Sequence, residues 1–283
     1  MFKKHPSLEL PRLERHETPV DEGTSSICWW TDETLFARTG VRVAFSERTG
    51  GTSEEGYSSL NLATHVQDDR SRVLHNRDRF LHAMELDGTP IVVPSQVHGD
   101  RVLSLDNSSP DAVEAFRHEA EKGADALLVQ SRGVGALLNF ADCVPLIMVA
   151  PSGHFCVIHA GWRGVDNGIA ALALRRLVLA EPGLSVDAAQ VNVYRGAYIH
   201  AECFECGADV HRRFTDQFGS SVAWDDTHID LGRALDLTLE RAGIDPARIA
   251  DVGCCTVCDN EHWFSYRAQG GTCGRHAAFC AAV

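Results

Sequence analysis

Cys143 and His159 lie near the two ends of the stretch Ala141 to Gly164, ADCVPLIMVAPSGHFCVIHAGWRG. Val144 to Ala150 is a continuous apolar run, Pro151-Ser152-Gly153 is a turn signal, and Phe155 to Ile158 is apolar again. A hairpin turning near Ser152 returns residue 143 to the neighbourhood of residues 159 and 160, so a thiol and an imidazole meet at its open end. Such a pair is either two metal ligands or a nucleophile with its base. His98, in SQVHG (Ser95 to Gly99), ends a further apolar segment, Ile91-Val92-Val93-Pro94. Two histidines and one cysteine suit zinc, which accepts both nitrogen and sulfur donors, and three protein ligands with an open fourth position is the catalytic arrangement. Each residue alone also reads as an ordinary resident near a core, since free cysteine is among the most buried types. The glycines directly after both histidines, Gly99 and Gly161, favour a site.

The bulk properties narrow the partners. A net charge of −13 argues against coating nucleic acid or an anionic membrane, while local arginines can still bind small anions. Ten cysteines in 283 residues are too dilute for a disulfide scaffold. With no secretory pattern, a reduced, cytoplasmic protein is expected. No apolar run approaches the roughly 18–20 residues of a membrane span. No apolar stripe stands out for self-association, and a monomer is expected.

Residues 1–23, polar and holding Pro6, Pro11 and Pro19, read as a flexible N-terminal extension, with a single domain over 24–283. Strands are predicted at Val41 to Phe45, Ile91 to Val93, Val102 to Leu105, Leu127 to Val129, Ala136 to Leu138, Val191 to Tyr194, and around Val252 and Phe279, besides the hairpin. Helical patterns cover Asp69 to Met84, Ala112 to Lys122, Gly168 to Ala180, Ala208 to Phe218 and Leu231 to Ala242. Strands and helices mix without a regular βαβ beat, so the expected fold is a layered α/β (α+β) domain with mixed sheets flanked by helices.

Nine segments, running in order from about residue 45 to 275, carry a resemblance: FSERTGG (Phe45 to Gly51), YSSLNL (Tyr57 to Leu62), SQVHG, GADALL (Gly123 to Leu128), ADCVP, HAGWRG, FECG (Phe204 to Gly207), IDL (Ile229 to Leu231), and WFSYR with Gly274-Arg275. The chain resembles the laccase-domain family, once labelled multicopper polyphenol oxidase and later described as zinc-dependent purine nucleoside-cleaving enzymes. The resemblance implies zinc held by His98, Cys143 and His159. It also implies phosphorolysis of adenosine, inosine, guanosine and methylthioadenosine to free base and ribose 1-phosphate, with adenosine deamination as a second activity. Purine nucleosides and phosphate would be the partners, with no nucleic acid and no membrane. Some members are instead described as editing peptidoglycan precursors. The family often shows Gly-Pro-Ala-Ile-Gly after the strand near Val193, whereas this chain has Tyr194-Arg195-Gly196-Ala197-Tyr198-Ile199-His200, a departure expected to alter the adjoining pocket.

A zinc with an open position can activate a water for deamination or orient a phosphate for glycosidic cleavage. Arg163, just before a helix start, is a candidate catalytic phosphate contact, and a surface arginine is the competing reading. Arg48 and Asn61 are candidates for substrate contacts, although Asn61 also suits a turn cap. Asp142, beside Cys143, is a candidate acid or base, or the carboxylate that orients a histidine; the second role is preferred. Tyr266, Arg267 and Arg275 are further pocket candidates. Copper is the less favoured metal: none of the 14 histidines forms the His-X-His pairs of true laccases, and there are only three methionines. His200-Ala201-Glu202 with Cys255 to Cys258 echoes the zinc deaminase signature, but the residue before Cys255 is Cys254, not proline. Cys203 and Cys206 with Cys255 and Cys258 permit a four-cysteine zinc site; scattered structural thiols are the preferred reading. A metal-free hydrolase using Cys143 and His159 has no need of His98, and a metal-binding module without turnover is a further class.

Overall fold

The apolar runs become strands because each is covered on both faces. The computed structural model describes residues 7–19, 25–181 and 187–283. Its strands are β1 (Glu14–Glu17), β2 (Cys28–Thr31), β3 (Val41–Ser46), β4 (Ile91–Val92), β5 (Val102–Leu105) and β6 (Ala126–Val129). There follow β7 (Gly135–Phe140), β8 (Val144–Val149), β9 (Phe155–Ala160), β10 (Asn192–Arg195), β11 (Ile249–Asp251) and β12 (His276–Ala282). The helices are α1 (Glu33–Thr39), α2 (Arg70–Ala83), α3 (Pro110–Glu121), α4 (Trp162–Asp166), α5 (Ile169–Leu179), α6 (Ala208–Phe218) and α7 (Leu231–Arg241).

The strands form two six-stranded mixed sheets, ordered β1-β2-β3-β12-β7-β4 and β11-β10-β8-β9-β6-β5. Strand β8 shows how they pack. Ile147 and Val149 face a core shared with Val43, Phe45, Ala278 and Cys280 of the first sheet. The alternate residues Leu146 and Met148 face Leu174 and Leu177 of α5 and Leu235 and Leu239 of α7. On the far side of the first sheet, Leu137 and Phe279 meet Phe80 and Leu81 of α2. Side chains alternate between faces with period two, and both faces are dry, so the strands read as unbroken apolar runs. Helices thus flank a two-sheet sandwich, the mixed-sheet α/β fold expected.

Helix ends follow local chemistry. Asp69 caps α2 by accepting from the Ser71 and Arg72 amides, and Ser109 caps α3, with Pro110 in the first turn. The expected flexible extension is corrected over residues 7–19. Here β1 pairs antiparallel with β2, and the Leu8 and Glu9 carbonyls accept from Arg248 and Asn192. A charged ERHE strand at a sheet edge lacks the apolar signal of a buried strand. The rest of that expectation, residues 1–6 and 20–23, falls outside the described residues. Among the described residues, no helix is long and apolar enough to cross a membrane.

His276 of β12 is buried between aromatic rings, 6.4 Å from Phe140 and 5.2 Å from Trp263 by centroid. Burial, followed by the charges of Arg275 and Arg48, holds its pKa down to about 3. The unfolded chain takes up this proton below about pH 6.5, the native protein only near 3. The ring's contribution to stability is therefore complete above 6.5 and is lost as the pH falls towards 3, at about 1.4 kcal/mol per pH unit. Urea unfolding of the protein and of His276→Phe between pH 7 and 4 is expected to show a shallower loss of stability in the variant; equal slopes would contradict the assignment.

Candidate metal centre

Two crossings between the sheets and one strand end bring the three donors together. His98 lies between β4 of the first sheet and β5 of the second, Cys143 lies between β7 and β8, and His159 is in β9. The hairpin register pairs Val144 with Ala160 and Pro145 with His159, which sets Cys143 beside the end of β9. The donor atoms of His98, Cys143 and His159 all lie within 4.8 Å of one another. The histidine rings meet edge to face at 4.8 Å. A Cβ on Gly161 would stand 3.2 Å from both Cys143 Sγ and His98 Cδ2, so the missing side chain leaves the donors their shared space.

Asp125, which precedes β6, organises this cluster. It is fully buried, and its carboxylate accepts from His159 Nδ1 at 2.8 Å and from the amides of His98 at 2.9 Å and Gly99 at 2.8 Å. Its carbonyl accepts the His159 amide at 2.7 Å. Burial acts to raise the Asp125 pKa, but the His159 hydrogen bond and the amide donors outweigh it, and the net shift is downward. The bond to Nδ1 directs Nε2 of His159 to the donor cluster, the orientation that a metal-binding histidine needs. The adjacent thiol and imidazole act on each other as well. Enclosure resists the thiolate, yet the His159 charge beside it draws the Cys143 pKa down. Burial likewise opposes the imidazolium, but Cys143 and Asp125 raise the His159 pKa.

Backbone strain is concentrated here. Four non-glycine residues adopt positive φ among the described residues, and two of them are His98 (58°) and Asp142 (94°). Asp142 is held by three donors: the Thr256 and Ser265 hydroxyls at 2.7 and 2.6 Å and the Arg267 amide at 2.7 Å. Its carbonyl also accepts the Ile199 amide. The preferred reading of Asp142 as a histidine-orienting carboxylate is thus corrected, because Asp125 makes that contact and Asp142 fixes the strained turn that presents Cys143.

The cluster opens on a cavity of about 550 Å³. Trp162, Ile199, Phe204 and Tyr266 supply apolar wall, Gln96 and Asn139 amides, and Arg267 and Arg275 positive charge. Tyr266, Arg267 and Arg275 therefore stand where the sequence suggested. Arg48 and Asn61 do not. The Arg48 guanidinium donates to the carbonyls of Ser58 and Asn260 and covers the Phe264 ring at 4.4 Å. Asn61 is fully buried, donating to Asp68 and accepting the Ala63 and Arg275 amides, which is the turn-capping alternative. Arg163 is exposed on the one-turn helix α4, stacked 4.4 Å over Trp162, and does not line the cavity. Of the departing segment 194–200, only Ile199 reaches the cavity wall. Arg195 is spent on Asp236 and Asp251, and Tyr194 donates to Asp32.

A two-sheet α/β fold with a two-histidine, one-cysteine cluster at the sheet crossings defines the class. The family model described as multi-copper polyphenol oxidoreductase laccase matches residues 42–282, and the chain belongs to that family. Adenosine deaminase RL5, from an unknown prokaryotic organism, is 33% identical over 83% of this chain and 92% of its own length. Purine nucleoside phosphorylase YlmD of Geobacillus stearothermophilus is 32% identical over 85% and 89%. Among solved structures, YfiH of Bacillus licheniformis superposes with a TM-score of 0.79 at 26% identity, covering 90% of this chain and 96% of that one. YlmD of G. stearothermophilus gives 0.78 at 28% identity, with the same coverage.

Asp125→Asn keeps the shape of the side chain but removes the charge that orients His159. Metal affinity, measured with zinc as the probe by competition with a chromophoric chelator, is expected to fall by about 10–100-fold, with the circular dichroism spectrum unchanged. Unaltered affinity would remove the orienting role.

Proposed function

We propose that the chain is a zinc-dependent purine nucleoside phosphorylase that converts a purine nucleoside and phosphate to free base and ribose 1-phosphate, with adenosine deamination as a second activity. The observation that carries this reading is the convergence of His98, Cys143 and His159 at a cavity with apolar walls and two guanidinium groups. The donor set fits zinc: one sulfur and two nitrogens, with Gly161 leaving them room. When bound there, zinc supplies Lewis-acid chemistry. It suits a single ion better than a multicopper cluster, since this is the one histidine-containing donor group among the described residues.

The chain's own side chains have separable tasks. Trp162, Phe204 and Tyr266 offer aromatic faces to a purine, and the cavity volume is that of a small-molecule site. Arg267 and Arg275 take the phosphate-binding role that the sequence suggested for Arg163, since guanidinium groups suit phosphate oxygens. Arg163 positions Trp162 through the stack of cation on ring. Asp142, engaged by three donors, positions Cys143 and Arg267. The paired shifts of Cys143 and His159 also support a second reading, a metal-free thiol hydrolase in which Cys143 attacks and His159 is the base. Hydrolysis of peptidoglycan precursors at this site is the corresponding alternative substrate class.

Zinc-analysed protein incubated with adenosine, with and without phosphate, separates these readings by chromatography of the products. Phosphate-dependent adenine release, lost in His98→Ala and after chelation, is expected. Inosine formed regardless of phosphate would make deamination the principal reaction. Turnover that survives metal removal but not alkylation of Cys143 would establish the thiol hydrolase. Inactivity towards nucleosides despite stoichiometric zinc would overturn the phosphorylase reading and direct attention to cell-wall precursors.

A further inference from the structure

A second group of donors stands apart from the residues lining the cavity. Glu202 and Cys203 follow β10, Cys255 and Cys258 follow β11, and their ligand atoms all lie within 4.8 Å of one another. The Cys203 and Cys258 sulfurs are 3.5 Å apart, Cys258 Sγ is 3.8 Å from Glu202 Oε1, and the His200 amide donates to Cys255 Sγ at 3.4 Å. We propose that Glu202, Cys203, Cys255 and Cys258 form a second zinc site, structural in kind, that staples the segment after β10 to the segment after β11.

The spacing supports a metal rather than a covalent link. A disulfide requires sulfurs about 2.05 Å apart. Zinc–sulfur bonds of about 2.3 Å in a tetrahedron set neighbouring sulfurs about 3.8 Å apart, close to the separation observed. Among the described residues, the only basic side chain within 4 Å of the Glu202 carboxylate is His200, at the 4.0 Å limit. Three sulfurs and a carboxylate make four protein donors, and a set so closed offers no open position for catalysis. Both sequence patterns are thereby resolved. Cys206 stays outside the donor group and Glu202 takes its place, while the cluster that echoes the deaminase signature gains Cys203 as an extra thiol.

The staple would join two segments that shape the cavity. The first provides Ile199 and Phe204 to the wall, and the Cys203 and Glu205 carbonyls that accept from Arg267. The second provides Thr256, which donates to Asp142. The inference does not depend on which reaction the cavity performs.

The test is the zinc content of protein purified without added metal, by elemental analysis, with cobalt substitution as a second readout. Wild-type protein is expected to carry two zinc ions per chain. His98→Ala should retain one of them, and its cobalt form should show the intense sulfur-to-cobalt charge-transfer band of several thiolates. Cys258→Ser alters an exposed residue and should keep the circular dichroism spectrum while losing one zinc; added to His98→Ala, it should abolish the cobalt band. A single zinc per chain that Cys203→Ser and Cys258→Ser leave in place would overturn the proposal. So would a Cys203–Cys258 disulfide found by mass spectrometry in freshly purified protein.

Discussion

One buried carboxylate organises the centre of this protein. Asp125 gathers three backbone amides from the 97–99 turn and the ring of His159, while its own carbonyl takes the His159 amide. Removed from water and uncompensated, such a charge would be costly; surrounded by donors, it becomes a fixed point of negative potential inside the sandwich. The left-handed backbone of His98 is tolerated because Asp125 holds the amides on both sides of its Cα, and the imidazole of His159 is oriented by the same carboxylate. Geometry and electrostatics at the cluster therefore share one source.

The chain is most legible where physics is local. The hairpin from Val144 to Ala160 was visible because a continuous apolar run and a proline–glycine turn leave few other arrangements, and it fixes two of the three donors. The helical reading from Asp69 meets the capping residue of α2, whereas α3 starts at Pro110 behind its Ser109 cap, ahead of the expected Ala112. Polar residues in glycine-rich loops were not. Arg48 and Asn61 have the side chains of ligand contacts, yet both lie outside the cavity lining with their donors spent within the protein, and no local pattern separates the two fates. Asp125 was overlooked although it lies inside the GADALL segment. Its importance depends on His159, 34 residues away, and the only sequence signal is a lone charge interrupting an apolar run.

The segment from Tyr194 to His200 shows how a conspicuous sequence feature can be absorbed by packing. Its bulky and basic groups turn away from the cavity. Arg195 is neutralised by two aspartates, and Tyr194 joins the Asp32 cap of α1. Gly196, directly after Arg195, is required, because a Cβ there would stand 2.5 Å from the Phe45 ring. The cavity keeps Ile199 as its only contribution from this stretch, and the rest of its wall comes from other segments, Trp162, Phe204, Tyr266 and the two arginines among them.

The chain passes from the first sheet to the second at His98 and again at Cys143, and the partner of both is on β9. An ion held there is consequently a rivet between two layers as well as a reagent. Folding and loading then become one equilibrium, in which each tenfold rise in free ion above its dissociation constant adds about 1.4 kcal/mol to the folded state. With an ion bound there, the supply of metal would govern how long a molecule survives proteolysis, and a cell short of the ion would hold fewer copies of the protein, not merely idle ones.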